Sequence, residues 1–265
     1  MITSGANHYI KTICSLHHKK GRVEHNLYLA EGIHLVQEAL RSGAKLRNYF
    51  WSAKVSAFPE GGILLKQLQE RVPGFEVNEA VMAKIAETEN PQGIVATLEI
   101  PEPAAFTLQN WEFGLILDGL QDPGNVGTIL RTAWASGIQG LICTPGTADL
   151  FQGKVVRASM GGIFYRPGFP NMEPRRIWSE AKKRGVRIIA GDAKGKQNYF
   201  DFNFGPPALI LVGNEGRGLS PDWDEFPVER VQIPQPGRAE SLNVSISAAL
   251  LIYEAIRQKM SQHPQ

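Results

Sequence analysis

Three junctions in this sequence combine glycine, amide and charged side chains more densely than an ordinary turn requires. The first is LDGLQDPGNVGTILRTAWASG, residues 117 to 137. An apolar run ends there, QDPGN turns the chain, and a helical pattern follows. Gly124 and Gly127 permit close backbone approach, and a helix start offers unsatisfied N–H groups. Asn125 and Arg131 add an amide and a guanidinium fork, so the junction predicts an anion site built from Asn125, Gly127 and Arg131. The second junction, ALILVGNEGRGLS at 208 to 220, sets three glycines in six positions around Asn214, Glu215 and Arg217. That density predicts backbone packed against backbone or against a ligand. In the third, IPQPGRAESLNVSIS at 233 to 247, Pro234 and Pro236 remove donors and fix the chain, and Gly237 allows a reversal. Ser241 or Asn243 can cap the helix that follows.

Such junctions need strands and helices to hold them. From residue 111 the apolar runs FGLILDGL, GLICTP, VRIIAGD, PALILVG and VQIP alternate with the helical segments TILRTAWASG, GKVVRASMG and RRIWSEAKKRG, and a last helix starts near Asn243. This alternation predicts an α/β fold with a mostly parallel sheet covered on both faces. In such sheets ligands bind where loops leave the carboxyl ends of strands, which is where the three junctions lie. A dinucleotide fingerprint needs GxGxxG and an acidic residue about twenty positions on. Only GxxG is present, so a nucleotide- or NAD-binding enzyme is the weaker alternative.

The first hundred residues read as a smaller mixed α/β unit, with strands at LYLAEG, LRNYFW, FEVN and PQGIVATLEI. PEPAAFTLQN has no clear period and marks a linker. The expected organisation is therefore a domain over 1–100, a linker over 101–110 and a second domain over 111–265. In the last helix Val244, Ala248, Leu251 and Ala255 line one side, and Ile246, Leu250, Tyr253 and Ile256 another. A helix apolar on two sides packs in its own core and against a partner, which predicts a homodimer.

Composition excludes several classes. With 43% hydrophobic and 20% charged residues, the chain reads as a soluble globular protein. No apolar run is long enough for a membrane span or a secretion signal. Cys14 and Cys143 stand in no metal or redox spacing, and the six histidines form no zinc-like pair with them. A cytoplasmic protein without metal is expected. The net charge of +2 is only mildly basic. HHKKGR at 17–22, and KKRG at 182–185 with Arg175 and Arg176, are candidate phosphate-binding clusters; the plainer reading of each is a solvated helix face.

NVGTILRTA, LVGNEGRGL and IPQPGRAESLNVS, in this order, resemble the motifs of the SpoU/TrmH class of the SPOUT superfamily. The likeness covers roughly 111 to 260, and RASMGGIFYRP is similar to the segment between the first two motifs. LYLAEGIHLVQEAL and PQGIVATLEI resemble the family's amino-terminal substrate-binding domain, which is similar to certain ribosomal proteins. The resemblance implies an enzyme that uses S-adenosylmethionine to methylate a ribose 2′-hydroxyl of RNA, ribosomal RNA in preference to transfer RNA. It implies a carboxyl-terminal trefoil knot and a dimer built by the last helix. It places catalytic roles on Asn125, Arg131, Glu215, Ser241 and Asn243, and cofactor contacts on Gly213, Ile233 and Leu242. An RNA-binding protein of the same fold without catalysis would show damaged motif positions, and all five catalytic positions keep the expected type. Ser247 stands where the family usually has a small apolar residue.

Overall fold

Along the first hundred residues, helices begin and end where local chemistry allows. The structure is a computed structural model that describes residues 1–102, 105–165, 168–237 and 241–262. Residues 103 and 104 of the expected linker, the last two of RASMGGIFYRP, and 238–240 of the third junction lie outside the described residues. Helix α1 (His8–Leu16) starts where the Asn7 side chain accepts the Tyr9 N–H. Helix α2 (Lys19–His25) stops at Asn26, which adopts a left-handed φ of 52°. Strand β1 (Leu27–Glu31) leads to α3 (Ile33–Ser42), closed by Gly43 at φ 75°. After β2 (Leu46–Trp51), α4 (Pro59–Gln69) opens with proline at its first turn. Strand β3 (Gly74–Glu76), α5 (Glu79–Ile85) and β4 (Ile94–Glu99) follow. These four strands form one sheet in the order β1-β4-β2-β3, with β4 antiparallel to both neighbours. Ile10, Ile13, Leu16, Phe50, Met82 and Val95 lie in its core.

The second run comprises β5 (Phe113–Asp118), α6 (Pro123–Ala135), β6 (Gly140–Cys143), α7 (Gly153–Ala158), α8 (Gly162–Tyr165) and α9 (Pro174–Arg184). It continues through β7 (Arg187–Gly191), β8 (Gln197–Asn198), β9 (Ala208–Gly213), β10 (Glu229–Gln232) and α10 (Val244–Gln262). Its strands form a second sheet in the order β6-β5-β9-β7-β10-β8, and every pairing is parallel. The mostly parallel sheet expected from the sequence is thus the one observed. Successive strand residues face opposite sides. Ile116, Ile142, Ile188, Leu209 and Leu211 enter the core that holds Ile177 and Ala181 of α9. Their buried neighbours Leu115, Leu117, Ile189, Ile210 and Val212 face the other side, where α6 and α10 pack.

The chain divides into two compact units, Met1–Glu102 with Phe151–Tyr165, and Pro103–Leu150 with Arg166–Gln265. Three contacts explain why Phe151–Tyr165 joins the first unit. Phe151 packs on Tyr28 with ring centroids 4.9 Å apart. The Arg157 guanidinium pairs with Glu87 at 2.5 Å, and the Tyr165 hydroxyl donates to the buried Glu38 carboxylate at 3.1 Å. Gly161, at φ 96°, separates α7 from α8. The sequence did not suggest α8 or the two-residue β8, since elements so short carry no period to read.

The basic cluster 17–22 is only partly a surface feature. Arg22 is buried, and its guanidinium donates to the Leu16 carbonyl at 2.8 Å and the His17 carbonyl at 3.1 Å, which closes the end of α1. Lys19 and Lys20 are exposed. Arg22 is therefore a capping group, which fits neither the phosphate-binding candidate nor the plainer reading of a solvated helix face.

Helix α10 buries Val244, Ala248, Leu251, Ile252 and Ala255 and leaves Ile246 and Tyr253 half exposed. Leu251 is fully buried, and its Cδ1 sits 2.7 Å from where a Cβ on Gly191 would lie. Replacing Leu251 with Ala should destabilise the protein by about 2–5 kcal/mol, through lost transfer energy and the cavity left behind. Urea unfolding checks this; an unchanged midpoint would mean that α10 does not hold the sheet.

Candidate active site

The site is assembled by loops leaving the carboxyl ends of β5, β7, β9 and β10. Gly213 ends β9 so close to the returning chain that a Cβ there would meet the Gly218 carbonyl carbon at 2.5 Å and the Leu219 nitrogen at 2.6 Å. Asn214 closes the loop. Its N–H donates to the Gly218 carbonyl at 2.8 Å, and the Gly218 N–H returns the bond at 3.0 Å. Its side-chain oxygen accepts the Gly216 and Arg217 N–H groups at 3.0 and 3.1 Å. Its amide nitrogen donates to the Gly119 carbonyl at 2.7 Å and so ties this loop to the one after β5. The close backbone packing predicted from the three glycines is present, and Asn214 organises it.

Next to this loop, three of the predicted catalytic side chains join in a line. The Asn125 amide donates to Glu215 Oε1 at 3.1 Å, and the Asn243 amide donates to Asn125 Oδ1 at 3.0 Å. The order is forced: a carboxylate only accepts, so Asn125 turns its NH₂ to Glu215 and leaves its oxygen for Asn243. Asn243 Oδ1 in turn accepts the Ser245 N–H at 2.9 Å and its hydroxyl at 2.6 Å. Asn243, not Ser241, therefore caps α10. Glu215 Oε2 also accepts the Gln121 N–H at 3.4 Å. One residue from each of the three sequence motifs is thereby held in a single hydrogen-bonded chain.

The first junction does not form the anion site expected of it. Asp122 is the N-cap of α6, and its carboxylate accepts the N–H groups of Gly124 and Asn125. The amides that would have held an anion are already satisfied, and a negative charge occupies the helix start. Arg131 is exposed in α6, with no hydrogen bond or ion pair among the described residues. Six residues separate it from Asn125, about 9 Å along the helix axis, and it faces a different side. Within one chain Arg131 does not join the Asn125–Glu215–Asn243 chain.

A cleft of about 240 Å³ lies beside Glu215. Gly213, Ile233 and Leu242 line it together with Glu215 and Ser241. The three positions expected to hold a cofactor therefore meet in one cavity with two of the expected catalytic residues. Sequence reasoning missed Asp192 and Ala193, which also line it; VRIIAGD was read as a strand, but its Gly-Asp ending at the same sheet edge was a usable signal. Asp192 is held by Arg230 Nη1 at 2.7 Å. Ser247, the departure noted in the third motif, lines the cleft as well. Gln235 Oε1 is buried at this wall with no hydrogen-bond partner among the described residues, and an acceptor in that state calls for an N–H donor. Among the described residues no group of three or more His, Cys, Asp or Glu could hold a metal ion.

Gly213→Ala should cost about 1–3 kcal/mol, because the new methyl meets backbone that cannot swing away. Gly216→Ala should be nearly neutral, since its Cβ would lie 3.7 Å from the nearest atom, Asn214 Oδ1. Thermal unfolding of the two variants decides; equal midpoints would refute the close-packing account.

Comparison with known proteins gives this geometry a context. Residues 112–253 match the model of the SpoU rRNA Methylase family, and residues 7–96 match that of the MRM3-like substrate binding domain. The chain is 32% identical over 252 residues to the 23S rRNA (guanosine(2553)-2′-O)-methyltransferase RlmP of Bacillus subtilis, covering 95% of this chain and 97% of that one. The crystal structure of the SpoU methyltransferase AviRb from Streptomyces viridochromogenes in complex with AdoMet superposes with a TM-score of 0.87 at 29% identity, covering 96% of this chain and 99% of that one. An AdoMet-bound rRNA methyltransferase from Sinorhizobium meliloti does so with a TM-score of 0.86 at 33% identity, covering 97% of each chain.

Proposed function

The chain belongs to the SpoU rRNA methylase family, and we propose on that premise that it methylates a ribose 2′-hydroxyl of ribosomal RNA from S-adenosylmethionine beside the Asn125–Glu215–Asn243 chain. The observation that carries this reading is the hydrogen-bonded line that joins one residue from each motif, beside a cleft lined by the second and third. The cleft suits the cofactor chemically. Val212, Ile233, Leu242 and Val244 give it apolar walls, Glu215 brings negative charge for a cationic ligand, and Gln235 offers its unpartnered oxygen to an amine or ammonium. Gly213, Ile233 and Leu242 would hold it in part through backbone groups.

Bound S-adenosylmethionine supplies a methyl group already activated on a sulfonium. The chain's own task is to place the ribose oxygen in line with that methyl and to help the hydroxyl lose its proton. The C–S bond breaks as the C–O bond forms, and the proton leaves the ribose oxygen. Asn125, Glu215 and Asn243 hold the three loops in register, with Ser241 at the cleft's mouth. Arg131 stabilises the charge that develops on the ribose oxygen and engages the adjoining phosphate. A guanidinium keeps its proton, so this role is electrostatic, and the proton goes to phosphate, water or a neighbouring side chain. The test is to incubate the protein with labelled S-adenosylmethionine and undermodified ribosomal RNA, then digest with alkali. Label in alkali-resistant dinucleotides is expected; label in mononucleotides would indicate base methylation, and no label would favour a binding protein. Arg131→Lys should lower turnover about tenfold or more, because a point charge does not replace a planar fork.

We also propose that the enzyme acts as a homodimer. Ile246, Tyr253 and Met260 recur every seven residues on α10 and are more than half exposed, with Leu242 just before them. A stripe at that spacing matches a second copy of itself. Arg131 sits on α6, which packs beside α10, so a dimer across this face can deliver Arg131 to its partner's cleft. The double variant Ile246→Glu, Tyr253→Glu should sediment as a monomer where the parent is a dimer. Mixed Arg131→Ala and Asn125→Ala subunits should recover activity that neither variant has alone; a parent that sediments as a monomer defeats the proposal. The reading includes a cytoplasmic enzyme: Cys14 and Cys143 are free thiols, and among the described residues no helix is long and apolar enough to cross a membrane.

A further inference from the structure

On the far side of the Gly213–Gly218 loop from the cofactor cleft lies a larger cavity of about 480 Å³, within the ~300–1,000 Å³ usual for small-molecule sites. The two cavities share Asn214 and Gly218 as a common wall. Glu215 reaches across this boundary: it lines the cofactor cleft, yet accepts the N–H of Gln121, which lines the larger cavity. The floor of the larger cavity is rigid. Asp118 is buried, with its oxygens taken by the Thr144 hydroxyl at 2.8 Å and the Ser220 N–H at 2.6 Å. The Thr144 hydroxyl oxygen also accepts the Gly119 N–H at 3.0 Å. One polar group at this wall is unspent: the Ser220 hydroxyl oxygen is buried and has no hydrogen-bond partner among the described residues. An orphaned hydroxyl at a cavity wall calls for a partner, which a water or a ligand atom in the cavity can supply.

Beyond Glu173 the cavity continues into an open depression of about 420 Å³ bordered by Phe106, Arg175 and Arg176. The Arg176 guanidinium lies over the Phe106 ring, 5.9 Å from its centroid. Phe106 itself is half-buried against the core and edge-on to Phe169, and a cation beside a ring at a surface depression is a pairing that receives a phosphate and a base of single-stranded RNA.

Resting on the methyl-transfer reading above, we propose that this cavity takes the unstacked base of the target nucleotide, with Ser220 as its hydrogen-bonding contact, while Phe106 and Arg176 hold the flanking nucleotide. Drawing a nucleotide out of its stack is one way to bring its 2′-oxygen into line with a methyl donor, and an extruded base then needs a pocket close to that donor. The shared wall provides that closeness. Ser220 is a specificity residue in this account, and Asp118 positions it through the Ser220 N–H.

Two measurements test the proposal. In the first, the protein saturated with S-adenosylhomocysteine is titrated with each of the four ribonucleoside 5′-monophosphates and followed through its backbone amide NMR signals. At least one nucleotide should shift Gly119, Thr144 and Ser220 and leave Ile233 unmoved, and Ser220→Val should weaken that binding about tenfold. No shift at these three amides with any nucleotide, or undiminished shifts in Ser220→Val, overturns it. In the second, Ser220→Val should lower kcat/KM for an unmodified 23S rRNA transcript about tenfold while S-adenosylmethionine affinity stays within about twofold. An unchanged kcat/KM also overturns it. Should the parent protein leave the transcript unmethylated, the methyl-transfer reading fails, and the nucleotide titration still decides what the cavity binds.

Discussion

The approach of Gly213 to the Gly218–Leu219 backbone is the contact on which the site depends. It leaves no room for a side chain, so the loop after β9 is shaped by main-chain bonds and by one amide, Asn214. That amide spends its oxygen within the loop and its nitrogen on Gly119, and so fixes two strand ends with one side chain. Both cavities take their common wall from this arrangement. Dipoles held this way need little reorganisation when charge develops nearby, which is how a protein with no strong base at hand can still favour an oxygen nucleophile.

Charge in the second unit follows the same economy. The basic helix α9 looked in sequence like a phosphate-binding cluster, yet much of its charge is matched locally. Arg175 pairs with Glu225, Arg184 with Glu180, and the Lys182 ammonium sits over the Trp178 ring. Glu180 is correspondingly drawn below the usual carboxylate range: burial works against this, but bonds from Arg184, Leu108 and Thr107 outweigh it. The plainer reading of that cluster, a solvated helix face, therefore describes most of its members.

Strand positions and helix faces were legible because apolar period and turn chemistry act over short windows. FGLILDGL and PALILVG read as buried strands, and they pair in parallel at the centre of the sheet. Gly213, Ile233 and Leu242 could be placed by resemblance and do share a cleft. What escaped was nonlocal or doubly interpretable. Asp122 followed by Pro123 is a cap-and-N1 signature, but QDPGN was read as a turn, and an occupied helix start was taken for an open one. Arg22 has the composition of a surface cation, and only the fold turns it inward onto α1. Gln235 and Ser220 are ordinary polar residues in sequence; their meaning comes from burial without a partner. Arg131 was legible as a residue type, while its distance from Asn125 along α6 depends on where the helix begins.

The placement of Phe151–Tyr165 bears on how this protein can be inherited. Because that segment belongs with Met1–Glu102, the polypeptide passes between the two units three times and not once. A gene fusion or recombination at a single point between them would leave the segment without the Tyr28, Glu38 and Glu87 groups it packs against. The amino-terminal unit thus cannot be exchanged by a single crossover that leaves Phe151–Tyr165 behind. Any change to that unit has to keep the later segment matched to it, because two separate stretches of the chain build it together.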